Sequence, residues 1–275
     1  ISGNFGTRVD VTTNASVHSY SPSLAIDSNG KAHIAYASKE YSSTSAGNNI
    51  AYRNNISGNF NTRVDVTTNI GTNVSITGLN NAKQTVVATD GTVYVVYTSK
   101  EYNVDVDNIV LRSSTDNFAS RTDITTLTAA GGASSPSIAL DSNNKVHIAY
   151  VSREYNASYN NIAYRNNISG NFNTRVDVTT NALVHSYSPS LAVDSNGKAH
   201  IAYYSNEYNT LFNIAYRNNI SGNFGTRVNV TKLTDNGSGW DFRSSNYPSL
   251  VLDSNGKAHI AYVSREYNAT YQNIA

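Results

Sequence analysis

The residues best suited to chemistry form a motif that recurs along the chain, a Glu followed directly by a Tyr. A neighbouring carboxylate and phenol could bind sugar hydroxyls or a cation. The five copies are Glu40 and Tyr41, Glu101 and Tyr102, Glu154 and Tyr155, Glu207 and Tyr208, and Glu266 and Tyr267. Because an acid and a base need different environments, five equal copies favour a structural role, in which the Glu pairs with the neighbouring Lys or Arg. The functional alternative is a repeated weak binding site.

One loop, residues 232–247, departs most from the pattern of the rest of the chain and contains the only tryptophan, Trp240. An aromatic ring can stack on a sugar face, and Trp and Arg also dominate protein–protein binding energy. We therefore predict that Trp240 contacts a ligand and that Asp241 and Arg243 orient it. The predicted floor of this site consists of Glu266, Tyr267, Glu40 and Tyr41. The alternative is a packing role for the Trp240 ring.

Composition excludes several other kinds of chemistry. The chain has no Cys, and therefore no disulfide, thiolate nucleophile or Cys-ligated metal. Its 20 Lys and Arg balance 19 Asp and Glu, so no strongly basic surface is available for nucleic acid or an anionic membrane. Apolar runs are too short to cross a bilayer, and no cofactor motif is present. We predict no cofactor, no metal, no nucleic-acid partner and no membrane insertion.

A repeat of about 52 to 59 residues organises the whole chain. The sequence NNISGNFNTRVDVTTN occurs at residues 54–69 and again, without a change, at residues 166–181. Five copies begin near residues 1, 56, 115, 168 and 220. Each contains four short runs rich in β-branched and aromatic residues, which in the first copy are residues 8–12, 23–27, 32–38 and 49–53. Four short antiparallel strands in such a repeat are typical of a β-propeller blade.

Residues 21–36, SPSLAIDSNGKAHIAY, resemble the opening of a blade in sialidase-like (BNR-type) bacterial propellers. The resemblance extends over all five copies and implies that the SPSL strand is innermost. In that family an Asp-box occupies the turn between the third and fourth strands. Here the equivalent residues 55–60 lack its Asp and Trp, and only residues 114–118 approach the pattern. The resemblance therefore implies the fold, with degenerate Asp-boxes, rather than sialidase activity.

These observations predict an all-β fold, a five-bladed β-propeller with four antiparallel strands per blade. Residues 1–275 would form a single domain. Residues 8–12 would be an outermost strand that pairs with the C-terminal strands and closes the ring. The sequence starts without a Met and ends within a third strand, so we expect a piece excised from a longer protein.

The strand order places the loops of varying length on one face of the ring, which we call the variable face. Rigid scaffolds present ligand-binding loops in this way. Few acids on this face are unrepeated, so we predict a binding module without catalysis, outside the cell or on its surface, whose partner is a glycan or a surface protein. One alternative is a propeller-type glycoside hydrolase or lyase that uses carboxylates around the channel. A second alternative is a structural spacer in a repetitive surface protein.

Overall fold

The computed structural model describes residues 8–14, 16–40, 49–68, 83–129, 131–233, 244–265 and 273–275. In this part of the chain the regular elements are β-strands and one 3-10 turn, without an α-helix. The strands form five antiparallel sheets, which are the blades of a five-bladed β-propeller, as predicted. No helix within the described ranges is long and apolar enough to cross a membrane.

The strands follow one another outward in each blade. Blade 1 comprises β1 (Ser19–Ile26), β2 (Ala32–Ser38), β3 (Asn49–Asn54) and β4 (Arg63–Asp65). Blade 2 comprises β5 (Thr85–Val87), β6 (Val93–Asn103), β7 (Val106–Ser113), the 3-10 turn Ser114–Asp116 and β8 (Arg121–Asp123). Blade 3 comprises β9 (Ala133–Leu140), β10 (Val146–Ser152), β11 (Asn161–Asn166) and β12 (Val176–Asp177). Blade 4 comprises β13 (Ser186–Val193), β14 (Ala199–Ser205), β15 (Asn213–Asn218) and β16 (Arg227–Asn229), and blade 5 comprises β17 (Ser245–Leu252), β18 (Ala258–Ser264) and β19 (Asn273–Ile274).

The turn between the first and second strands is held by the Asp that precedes it. In blade 1 the backbone N–H groups of Asn29 and Lys31 donate to Asp27 Oδ1 at 2.9 and 2.8 Å. The hydrogen bond from Lys31 lowers the pKa of Asp27. Gly30 has a φ of +74°, and Asn144 takes this left-handed position in blade 3 with a φ of +59°. The preference for Gly or Asn in this turn follows from that conformation.

Four of the five innermost strands contain the same irregularity. A residue with a φ near +50° directly precedes a proline in each: Ser21, Ser135, Ser188 and Tyr247. The pairing register shifts at this point, as between Tyr20 and Ser23 in blade 1. A bulge of this kind bends the strand and increases its twist. These innermost strands continue through the bulge and are therefore longer than the predicted residues 23–27.

Adjacent blades pack face to face through alternate residues of the innermost strand. In blade 4 the Leu191 side chain is buried on blade 3, and its N–H donates to Ser137 Oγ at 3.1 Å. The same contact joins blades 4 and 5, where the Leu250 N–H donates to Ser190 Oγ at 2.9 Å. The serine faces the following blade and the leucine faces the preceding one, as the two-residue period of a strand requires.

The predicted closure of the ring by residues 8–12 is not found. These residues are not in a strand, and the sheet of blade 5 has three strands, β17, β18 and β19. In blade 1 the fourth strand pairs with Ala51, Tyr52 and Arg53.

We expect Ser137→Ala to lower the free energy of unfolding by about 1–3 kcal/mol, since the buried Leu191 N–H loses its acceptor. Urea denaturation followed by circular dichroism measures this change. The matched control is Ser195→Ala in an exposed turn, where we expect a change within about 0.5 kcal/mol. Equal unfolding midpoints for the two variants would contradict the role of this hydrogen bond.

Candidate active site on the variable face

The glutamates of the Glu–Tyr motif are anchored inside their blades. In blade 2 the Glu101 side chain is 2% exposed, and Arg112 Nη2 donates to its Oε1 at 3.0 Å. Tyr97 Oη donates to Glu101 Oε2 at 2.7 Å, and Arg112 Nε donates to the same Tyr97 oxygen at 2.8 Å. The carboxylate thus neutralises an arginine of the third strand and accepts a hydrogen bond from a buried tyrosine of the second strand.

The other described copies repeat this arrangement with partners from the third or fourth strand. The carboxylate contacts are Glu40 with Arg63 at 3.2 Å, Glu154 with Arg165 at 3.1 Å and Arg175 at 3.5 Å, and Glu207 with Arg217 at 3.7 Å and Arg227 at 3.5 Å. The predicted partner was the residue just before the Glu. The observed partners differ because the Glu side chain turns back along the blade towards strands 3 and 4.

The remaining predicted site residues divide into two groups. The phenol rings of Tyr102, Tyr155 and Tyr208 are partly exposed to solvent, at 40–43%. Their role as ligand contacts stays a prediction. The other candidates, Trp240, Asp241, Arg243, Glu266, Tyr267 and Tyr41, lie outside the described residues.

A cluster of aromatic rings lies on the variable face of blades 3 to 5. His185 stacks on Tyr187 with ring centroids 5.6 Å apart, and Tyr187 stacks on Tyr204 at 5.4 Å. Phe212 packs edge-on against Tyr204 at 5.5 Å, and Tyr247 does so at 6.0 Å. The Tyr247 ring is about half exposed, so the cluster presents an aromatic surface to solvent.

A pocket of about 280 Å³, which we call the acidic pocket after Asp107, lies between blades 2 and 3 on the same face. Asp107, Gly132, Ser134, Arg153 and Asn160 are among its lining residues. The Asp107 Oδ1 atom is buried and has no hydrogen-bond partner. Burial raises the pKa of Asp107, and the charge of Lys100 opposes this effect.

Two features hold the acidic pocket in place. A side chain at Gly132 would put its Cβ 3.1 Å from the Asp107 carbonyl oxygen, so the loop can approach β7 this closely only without one. Arg153 Nε donates to Asn160 Oδ1 at 2.8 Å, and the Asn160 N–H donates to His185 Nδ1 at 3.2 Å. This chain of hydrogen bonds joins the acidic pocket to the aromatic cluster.

The two parts together can bind and protonate a polar ligand. A carboxyl group whose pKa is raised by burial stays protonated further above its ordinary range and can donate a proton. Arg153 and Asn160 provide donors and an acceptor beside it. The aromatic cluster adds a surface on which a ring of a ligand can stack. Such a combination suits acid catalysis on a sugar.

Neither Asp107 nor the aromatic cluster was among the site residues predicted from the sequence. Both features occur at positions where the sequence departs from the repeat. Position 204 is Tyr in blade 4 and Ala37, Val151 or Val263 at the equivalent place in blades 1, 3 and 5. The counterpart of Asp107 is Asn160 in blade 3 and Phe212 in blade 4, and in blade 2 this segment forms a hairpin that pairs Asn103 with Val106.

Comparison with known proteins identifies shared folds. No family model and no curated protein matches the chain. An α-L-arabinanase of Penicillium chrysogenum, solved with arabinobiose, is 14% identical with a TM-score of 0.57 and covers 91% of this chain and 78% of its own. The GH93 α-L-arabinofuranosidase of Fusarium graminearum, also solved with arabinobiose, is 12% identical with a TM-score of 0.58. This match covers 95% of the present chain and 82% of the Fusarium enzyme. A Hadza microbial sialidase is 8% identical with a TM-score of 0.51, and this match covers 90% of the present chain and 50% of the sialidase.

These matches correct the prediction of a binding module without catalysis. The arabinanase and the GH93 arabinofuranosidase that share this fold are enzymes, and this finding favours the enzyme alternative. The predicted likeness to a propeller family that includes sialidases is confirmed at the level of the fold. At these sequence identities the fold is what the comparison shows.

We expect Glu154→Gln to lower the free energy of unfolding by about 1–3 kcal/mol, because Arg165 and Arg175 lose their shared carboxylate. This loss of stability is smaller than for a fully buried ion pair, because both arginines are partly exposed. Thermal unfolding measures the change. Tyr155→Phe, at the next position but with a partly exposed ring, serves as the control and should unfold within about 0.5 kcal/mol of the parent. A Glu154→Gln protein of parental stability would contradict the anchoring role.

Proposed function

We propose that this protein is a glycoside hydrolase that cleaves a glycosidic bond at the acidic pocket on its variable face. The observation that carries the proposal is the buried, unpartnered carboxyl oxygen of Asp107 in a pocket linked to an aromatic surface. The fold shared with an arabinanase and an arabinofuranosidase supports the same conclusion. The reaction is hydrolysis, in which water adds to the anomeric carbon and the leaving oxygen takes a proton.

Asp107 acts as the general acid in this proposal. A glycosidase needs one carboxylic acid that is protonated when the substrate binds, so that it can donate to the leaving-group oxygen. Burial favours the protonated form of Asp107 by raising its pKa. Arg153 and Asn160, which line the same pocket, orient the sugar through its hydroxyl groups.

The general base is Asp105, two residues before Asp107 at the tip of the β6–β7 hairpin. Asp105 is exposed, so a water molecule can reach its carboxylate. Asp105 lies in the turn between Asn103 and Val106, so a single hairpin carries both acids of the proposed mechanism.

The substrate class in this proposal is an oligosaccharide that contains arabinose. The Penicillium and Fusarium enzymes were both solved with arabinobiose, which makes it the first substrate to test. The aromatic cluster would stack on a sugar next to the scissile bond. The same proposal places the protein outside the cell or on its surface, as a single propeller domain whose repeats descend from the BNR type.

We expect Asp107→Asn to lower kcat for hydrolysis of arabino-oligosaccharides by at least about 100-fold, the usual contribution of a positioned general acid. Parental activity should fall as the pH rises through the raised pKa of Asp107, because the acid form is then lost. The Asn variant should not show this basic limb. Reducing-sugar release at several pH values measures both effects.

The control is Asp116→Asn, an exposed acid in the turn at the opposite face. It should retain parental kinetics. If no arabinose-containing, sialylated or other common glycan is hydrolysed by the parent, or if Asp107→Asn remains fully active, the proposed function is wrong.

We expect Tyr247→Ala to raise KM by about 5-fold or more with a smaller change in kcat, since a stacking ring contributes about 1 kcal/mol or more to binding. The half-exposed Tyr247 ring is the most accessible part of the aromatic cluster. Ile220→Ala, at an exposed position of a turn on the opposite face, is the control. A Tyr247→Ala enzyme with parental KM would show that sugars do not use this surface.

A further inference from the structure

The first and last blades each present an apolar face that is covered in every other blade. On blade 1 the side chains of Leu24 and Ile26 are 55% and 57% exposed, whereas Leu191, the counterpart of Leu24 in blade 4, is 3% exposed. On blade 5 Val251 is 59% exposed, whereas its counterpart Ala139 in blade 3 is buried. Strands of consecutive blades pack together from blade 1 to blade 5, and no comparable packing joins blade 5 to blade 1 among the described residues.

The two open faces are the two halves of a contact that the chain makes internally. Within the chain, a serine Oγ of one blade accepts the leucine N–H of the next, as in the pairs Ser137 with Leu191 and Ser190 with Leu250. The next serine in this series is Ser249 on blade 5, which is exposed. The first leucine in the series is Leu24 on blade 1, which is also exposed.

Leu24 lies in a groove on the open face of blade 1 that could accommodate another blade. A groove of about 470 Å³ runs along the open face of blade 1, between the innermost strands and residues 8–12. Its walls include Tyr20, Pro22, Leu24 and Ile34, which are largely apolar. Ile34 is the counterpart of Ile201, which is buried between blades 3 and 4.

We propose that this protein associates head to tail with a second copy of itself, the open face of blade 5 in one copy packing on the open face of blade 1 in the other. The Ser249 hydroxyl of one copy accepts the Leu24 N–H of the other, and Val251 covers Leu24 and Ile26. This contact would extend the blade-to-blade packing across two molecules.

A second copy is the partner that fits because it carries the matching surface. The open faces have the same strand sequences as the packed ones: SPSLA in blades 1 and 4, and AHIAY in blades 1, 4 and 5. Hydrophobic faces of this kind stay exposed in few monomeric proteins. The formal net charge of +1 leaves little repulsion between copies. Because the two faces differ, each added copy leaves one of each kind free, and the contact can continue into longer arrays.

The test uses one variant for each face, with sedimentation equilibrium as the measurement. Leu24→Glu removes the face on blade 1, and Val251→Glu removes the face on blade 5. We expect the parent to associate with increasing concentration and each variant alone to stay monomeric. An equimolar mixture of the two variants should form a 1:1 dimer and nothing larger, because each variant keeps the face that the other lacks.

Leu183→Glu is the matched control, since this leucine is 77% exposed but lies in a loop away from both faces. It should associate like the parent. A parent that stays monomeric at all concentrations, or a mixture of the two face variants that does not dimerise, would overturn the proposal.

A cross-link distinguishes association from closure of the ring within one molecule. The chain has no Cys, so the pair Leu24→Cys and Ser249→Cys in one chain gives the only two thiols. We expect oxidation at concentrations where the parent associates to give a ladder of disulfide-linked copies on a non-reducing gel. A monomer with an internal disulfide, or a protein that does not cross-link, would contradict association between copies.

Discussion

The structure depends on one constraint, namely that a small sheet with two apolar faces needs a neighbouring sheet on each side, a condition that blades 2 to 4 meet within the chain. An innermost strand meets this constraint with alternate residues, a serine and an alanine towards one neighbour and a leucine and a valine or isoleucine towards the other. The seam between blades is then fastened by a serine hydroxyl and a backbone N–H, as at Ser137 and Leu191. Repeated sequence and radial arrangement are consequences of the same packing rule.

The packing of the blades also determines how the charged residues of the repeat are paired. Arginines on the third strand lie inside the blade and need a buried anion, which the Glu of the Glu–Tyr motif provides. Asp27 and its counterparts are likewise occupied, because they accept hydrogen bonds from their turns. The repeated acids therefore stabilise the scaffold. The acid available for a catalytic role is therefore one that departs from the repeat, Asp107.

Departures from the repeat gather on the variable face for a physical reason. A change at a seam would disturb two blades, whereas a change in a loop at the end of a blade disturbs only the loop. The hairpin that places Asp107 is of this second kind, whereas Tyr204 lies near the end of β14, where its ring packs on Tyr247 of blade 5. The Asn160 side chain and backbone connect the two changes, so that they form one site.

The sequence by itself determined the repeat, the four-stranded blade, the number of blades and the turn residues, because strand period, turn chemistry and repeat length are local properties. It also favoured a structural role for the Glu of the Glu–Tyr motif, but it did not identify the arginines that this Glu contacts. Only the tertiary structure decided that residues 8–12 do not pair with blade 5, that Leu24 and Val251 are exposed, and that the Asp107 Oδ1 atom is buried without a hydrogen-bond partner. These features depend on which distant segments meet in space, and a repeat makes distant segments look alike while their neighbours differ.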